Sequence, residues 1–233
     1  MPLSTKCFLC NSNIGNVLVT SEFFFYWKLL YTIAYKVIKN GGFEVIIAAD
    51  SGMNFLHNIE ITPDVIVGDF DSADKDILEY YRQLEMVDII MLNPEKDETD
   101  TESAIRFAIQ NGADCITILG GTGSRIDHML GNVCLLGIGL EENIDIFLLD
   151  KNNKIRMIDK ELSIEKEKQF GKYVSLIPFG GNVEGLTLKG MKYPLDNYNM
   201  GGFNSLGISN EIVDDTALIT FEKGVLLVIE SRD

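Results

Sequence analysis

The chain has 233 residues, 46% of them apolar, which suits one large domain or two modest ones with ordinary globular cores. Its 20 basic against 35 acidic residues leave a formal charge of −15, which argues against nucleic acid or an anionic membrane as the main partner and favours a cationic co-substrate. The longest apolar stretch, Phe23 to Ile38, is interrupted by Lys28 and Lys36 and is shorter than the roughly 20 residues a spanning helix needs, so it reads as an amphipathic core helix.

No charged-then-apolar leader with a small-residue cleavage site begins at Met1, so a reducing, cytoplasmic location is expected. Cys7-Phe8-Leu9-Cys10 has no second C-x-x-C to complete a zinc site, and Cys115 and Cys134 stand far from it. With His57 and His128 the only histidines, the cysteines read as buried thiols.

Along the chain, the first strand is either Cys7 to Leu9 or Val17 to Val19. Apolar runs then recur at Glu44–Ala49, Asp64–Val67, Asp88–Leu92, Cys115–Leu119 and Ile144–Leu149, separated by helix-length spacers. That alternation predicts an α/β domain with a parallel sheet over residues 1–150. Its clearest helix is Asp100–Gln110, where Ala104, Ile105, Ala108 and Ile109 form one apolar stripe that Asn111-Gly112 ends. After Lys151-Asn152-Asn153 the pattern turns to short strands. Tyr173–Ile177, Val183–Leu188, Ala217–Phe221 and Val225–Ile229 predict a smaller all-β sandwich domain over residues 151–233, the last two strands forming a hairpin across Glu222-Lys223-Gly224. So small a sheet domain leaves open edges that a second copy would protect, and a homodimer is expected.

The chemistry-bearing residues follow the ends of these runs. Asp69 and Asp71 flank Phe70 after Gly68; Asp97 and Asp100 follow Lys96; Asp50-Ser51-Gly52 follows the run ending at Ala49. Open α/β sheets bind ligands outside the carboxyl ends of their strands, and several acids converging there call for a divalent cation, Mg²⁺ being the natural one beside a nucleotide's phosphates. Asp69 and Asp71 read equally as a solvated turn, and Thr99-Asp100-Thr101-Glu102 fits a helix capping box, which accounts for Thr99 and Glu102 without requiring Lys96 or Asp97. Gly120-Gly121-Thr122-Gly123-Ser124-Arg125 joins a strand to a helix starting near Ile126 and is suited to cradle an anion, with Arg125 adding donors. It matches neither common nucleotide fingerprint. Asp127 and His128 follow directly, the latter equally readable as a satisfied structural residue. Ser209-Asn210 reads, from its residues alone, as a turn.

In order, Asp50-Ser51-Gly52, Gly68-Asp69-Phe70-Asp71-Ser72, Lys96-Asp97-Glu98-Thr99-Asp100, Gly120 through His128, and Ser209-Asn210-Glu211 resemble the motifs of bacterial thiamine pyrophosphokinases. The resemblance runs from about Ala48 to the C-terminus; Ser51 stands where the family has glycine. It implies transfer of the pyrophosphoryl group of ATP to the hydroxyethyl oxygen of thiamine, with AMP released. It further implies Mg²⁺ held by Asp71 and Asp100 with Asp69 and Asp97 as ligands or supporting groups. Lys96 and Arg125 would offset phosphate charge in an ATP site that includes Asp50, the Gly120–Arg125 turn and His128, and Asp50 or Asp127 would accept the hydroxyl proton. Ser209 and Asn210 would bind the aminopyrimidine, in a pocket shared between two subunits. Trp27 is the only tryptophan, so the C-terminal tryptophan on which some members stack thiamine has no counterpart. The rival readings are a pyrophosphokinase for a pterin alcohol, a metal-dependent phosphate-ester hydrolase, and a non-catalytic nucleotide sensor.

Overall fold

The computed structural model describes residues 15–21, 35–71, 73–95 and 97–233. The alternative first strand at Cys7–Leu9, the Cys7/Cys10 pair, Trp27, most of the Phe23–Ile38 segment and Lys96 lie outside them. The chain divides into two compact units, cut between Asn132 and Val133. No helix among the described residues is long and apolar enough to cross a membrane.

The first unit is built on five parallel strands: β1 (Asn16–Thr20), β2 (Val45–Ala49), β3 (Val65–Gly68), β4 (Asp88–Met91) and β5 (Cys115–Leu119). They lie in the order β5-β1-β2-β3-β4, in register as Val17 to Val45, Val17 to Ile116, Ile47 to Val65 and Val65 to Asp88. In β1, β2, β3 and β5 residues of both parities meet core, so these strands are apolar nearly throughout, with Thr20 and Thr117 buried among the apolar residues. β4 is the exception: as the outermost of these five strands it is only half-buried, and Met91 is exposed, so its Ile-rich run is not the fully covered strand its composition suggests.

Helices α1 (Gly52–Asn58), α2 (Lys75–Arg82), α3 (Asp100–Gln110) and α4 (Ile126–Leu135) follow β2, β3, β4 and β5. The helix expected over Asp100–Gln110 has those bounds, buries Ala104, Ile105 and Ala108, and ends where Asn111 donates its side-chain amide to Phe107 O at 2.8 Å. α3 packs on β1, β2 and β3, and its two alanines allow that close approach. It carries the chain from β4 back across the sheet to β5. The direction of travel along the sheet therefore reverses at β1, and the crevice between β1 and β5 is the topological switch point.

The second unit begins with the end of α4 and α5 (Gly137–Glu142), then two antiparallel sheets. One has the order β12 (Asn210–Glu211), β9 (Tyr173–Pro178), β14 (Leu226–Ser231), β7 (Asn153–Ile158), β6 (Asp145–Leu149); the other has β11 (Leu195–Met200), β10 (Val183–Lys189), β13 (Thr216–Thr220), β8 (Leu162–Glu165). Alternating inward residues, among them Val174, Leu176, Val183, Leu186, Ala217, Ile219, Leu226 and Val228, form the shared core of this sandwich. β13 and β14 are not the hairpin expected across Glu222-Lys223-Gly224. Glu222 N and Lys223 O still bond to Glu184 of β10, whereas Val225 O accepts from Phe179 N at 2.9 Å beyond β9. The chain crosses from one sheet to the other at Gly224, because each strand's apolar side must face the core between the sheets.

Candidate active site

Parallel strands end on one edge, and three acids gather there. Asp50, Asp69 and Asp100 each present a carboxylate oxygen, and the three oxygens lie within 4.8 Å of one another. Asp50 is buried, at 5% exposure, and the other two are half-buried.

Each acid is aimed by its local backbone. Asp50 follows β2 in the left-handed region, φ 43°, with its N–H donated to Val67 O at 2.8 Å. Ser51 then takes ordinary right-handed helical angles, φ −63°, so the position that departs from the family's glycine needs no glycine. Gly52 does: a Cβ there would sit 2.3 Å from Thr20 O. Asp69 follows β3, and Asp71 N donates back to Asp69 Oδ1 at 3.1 Å around a left-handed Phe70. That turn ends the extended geometry in which Asp69 and Asp71 would have pointed the same way. Asp71 is exposed and stands outside the group of three, as does exposed Asp97.

Asp100 is the first residue of α3, where a helix N-terminus favours negative charge. Thr99 caps the helix, its Oγ1 accepting from Glu102 N at 3.2 Å. The reciprocal half of a capping box is missing. Glu102 Oε1 instead accepts from Arg106 Nε and Nη2 at 2.9 and 2.7 Å.

The glycine turn leaves β5 at the switch point. Gly120 has φ 86°, and Asn132 of α4 donates to Gly121 O at 3.0 Å, tying the turn to the helix that follows it. Gly121 is buried, Thr122 and Gly123 are half-buried, and Ser124 through His128 are exposed. Arg125 forms a two-point pair with Asp127, Nε to Oδ1 at 3.2 Å and Nη2 to Oδ2 at 2.6 Å, while His128 N donates to Asp127 Oδ1 at 3.0 Å. The Arg125 guanidinium, helped by that backbone donor, holds the Asp127 carboxyl down at about 2, which makes it a weak proton acceptor.

In the β unit, Ser209 is exposed in the left-handed region, φ 58°, with its N–H donated to Ser175 Oγ at 2.9 Å. Asn210 is buried. Its amide donates to Tyr193 O and accepts from Tyr193 N and Glu211 N. Glu211 pairs with Lys192 at 2.8 Å and Lys172 at 3.6 Å, and the Lys192 ammonium is the main cause that holds the Glu211 carboxyl below its ordinary range.

Residues 40–148 match the family described as "Thiamin pyrophosphokinase, catalytic domain", and residues 159–226 match "Thiamin pyrophosphokinase, vitamin B1 binding domain". The chain is 39% identical over 190 residues to the thiamine pyrophosphokinase of Bacillus subtilis, covering 80% of this chain and 87% of that one. The chain belongs to the thiamine pyrophosphokinase family. A crystal structure of thiamine pyrophosphokinase from Bacillus subtilis superposes with a TM-score of 0.81 at 34% identity, over 94% of this chain and 99% of that one. One from Geobacillus thermodenitrificans gives 0.79 at 29%, over 94% and 98%.

The three gathered acids and the glycine turn all fall in the thiamine pyrophosphokinase catalytic region, and Tyr193, Ser209 and Asn210 in the vitamin B1 binding region. Sequence reasoning gave Asp50 to ATP or to proton transfer and not to the metal. The signal that could have grouped it with Asp69 was its place directly after a buried strand, next to a glycine that the neighbouring strand's carbonyl requires.

Proposed function

We propose that this chain transfers the pyrophosphoryl group of ATP to the hydroxyethyl oxygen of thiamine, giving thiamine diphosphate and AMP. One observation supports it above the rest: three carboxylates on the scale of a single ion stand at the carboxyl edge of the sheet, in a chain that matches both regions of the thiamine pyrophosphokinase family.

The acids suit Mg²⁺. It takes oxygen ligands at about 2.1 Å, so ligands sharing one ion lie up to about 4 Å apart, and the carboxylate oxygens of Asp50, Asp69 and Asp100, within 4.8 Å of one another, need close in only slightly around it. We assign these three as the ion's protein ligands. Asp71 and Asp97, on the exposed sides of the same turns, serve as further ligands or as partners of ion-bound water. When bound, the ion neutralises developing charge on the phosphate oxygens.

The chain's own groups do the rest by position and charge. Attack on the β-phosphorus leaves AMP, so the site must hold a bent triphosphate. The Gly120–Ser124 turn offers backbone N–H groups and the start of α4, and Arg125, oriented by Asp127, offers guanidinium donors. Lys96 is assigned to phosphate from its motif. Phosphoryl transfer passes through a loose transition state, so preorganised charge outweighs any single strong base. Asp127, held at about 2, suits orienting Arg125 better than accepting a proton.

The β unit supplies the thiamine side, with Ser209 presenting its hydroxyl and Asn210 fixing Tyr193 in the link between β10 and β11. Exposed Phe203, Leu206, Ile208 and Val213 on this unit favour pairing with a second copy, and we infer a homodimer whose pocket joins the nucleotide unit of one subunit to the β unit of the other. A reducing cytoplasm suits Cys134, which is an exposed thiol and not the buried one expected from the sequence. The test is AMP formation by purified protein with ATP and Mg²⁺. It is expected only when thiamine is added, and AMP or phosphate released without thiamine would overturn the assignment.

A further inference from the structure

Phe70 combines two features that oppose each other: an aromatic side chain, 8% exposed, and a left-handed backbone with φ 62°. A bulky L-residue adopts that conformation only where its surroundings over-determine it. Here the surroundings are Gly68 and Asp50. A Cβ on Gly68 would lie 3.2 Å from Phe70 Cε1 and 3.1 Å from Asp50 Cα, so the bare face of Gly68 receives both the ring and the Asp50 backbone. The Asp50 N–H closes the contact by bonding to Val67 O at 2.8 Å. One packing contact thus joins the turn that carries Asp69 to the turn that carries Asp50.

We infer that Phe70 is a positioning residue: its ring, seated on Gly68, holds the left-handed turn that sends Asp69 towards Asp50 and Asp100 and leaves Asp71 outside. The ring acts by bulk, since its neighbours at Gly68 are backbone atoms. The inference rests on the reading of the three acids as a metal group.

The test measures Mn²⁺ binding by electron paramagnetic resonance without substrates, beside thermal unfolding, for the full chain and its Phe70→Ala, Phe70→Asn and Phe70→Leu variants, with Asp69→Asn as reference. Groups that support metal ligands typically change affinity by about 10- to 100-fold when removed. Phe70→Ala and Phe70→Asn are expected to weaken Mn²⁺ binding about tenfold or more while still unfolding cooperatively, and Phe70→Leu to return it to within about threefold of the parent. Asn tolerates the left-handed backbone but lacks the ring, so it separates the two features and remains informative if the alanine variant does not fold. Unchanged Mn²⁺ binding in Phe70→Asn, with only the unfolding temperature lowered, would make Phe70 mere core filling and overturn the inference. Unchanged binding in Asp69→Asn would instead remove the metal reading beneath it.

Discussion

Asn210 grips Tyr193 by both backbone polar groups: the buried amide donates to Tyr193 O at 2.8 Å and accepts from Tyr193 N at 3.0 Å. A side chain so engaged has little left for a ligand, whereas Ser209 beside it is exposed. The two residues therefore separate by measurement. Asn210→Ala should lower stability by about 1–3 kcal/mol, the cost of leaving part-buried backbone groups without partners. Ser209→Ala should stay within about 0.5 kcal/mol and raise the KM for thiamine. Thermal unfolding and thiamine saturation curves check both, and an Asn210→Ala variant of parental stability would contradict the clamp.

The acid group makes a second separation. Asp50→Asn, Asp69→Asn and Asp100→Asn should each weaken Mn²⁺ binding and reduce turnover by several orders of magnitude, because each removes a charge from the same few ångströms. Asp71→Asn should abolish turnover through the nucleotide-bound complex while leaving Mn²⁺ binding to the free protein nearly intact. Calorimetry with metal alone, then with metal and ATP, distinguishes these outcomes.

The Arg125–Asp127 pair has a defined pH signature. Asp127 is depressed to about 2 from an ordinary value of 3.8, so whatever stability the pair contributes is present above the ordinary value and is lost as pH falls through about 2. In an NMR titration of side-chain carboxyl carbons, Asp127 should titrate near the bottom of the accessible range. Arg125→Met should raise it towards the ordinary value, with the His128 N–H still holding it somewhat below. As a weak proton acceptor, Asp127 should also matter less than Asp100, with Asp127→Asn the milder of the two in kcat.

Much of this arrangement is legible in the sequence because the apolar runs that become strands, and the turns that end them, are local signals even though the strands pair at long range. Asp100–Gln110 declares itself by one apolar stripe and a Thr99 cap, and Cys115–Leu119 by a short run of mostly apolar, β-branched residues. The grouping of the acids was less legible. Asp69 and Asp71 look equivalent two residues apart, and only the left-handed Phe70 between them, favoured by a contact with Gly68, tells which one faces Asp50. The crossing at Gly224 was hidden for a similar reason: a three-residue link between two apolar strands has the same local pattern whether the strands pair or belong to opposite sheets. Likewise, Glu102 three residues after Thr99 fits a capping box, but Arg106 one turn later competes for its carboxylate and wins. Thr99→Ala should therefore cost about 1 kcal/mol and Glu102→Ala no more than about 0.5, measured by urea unfolding.

The proposed sharing of a pocket between subunits has a sharp test. If each site takes its acids from one subunit and Ser209 from the other, two variants damaged on opposite sides can repair one another. Asp100→Asn disables the metal side, and Ser209→Arg sets a bulky cation where a cationic substrate is proposed to sit. Mixed and re-equilibrated, half the dimers are hybrids in which one site carries both lesions and the other none, so about a quarter of parental activity should return. The patch at Phe203, Leu206 and Ile208 ties the effect to the interface: Leu206→Asp should shift the protein to monomers by light scattering and abolish the recovery. A mixture that stays inactive while the protein is dimeric would put both halves of the site within one chain.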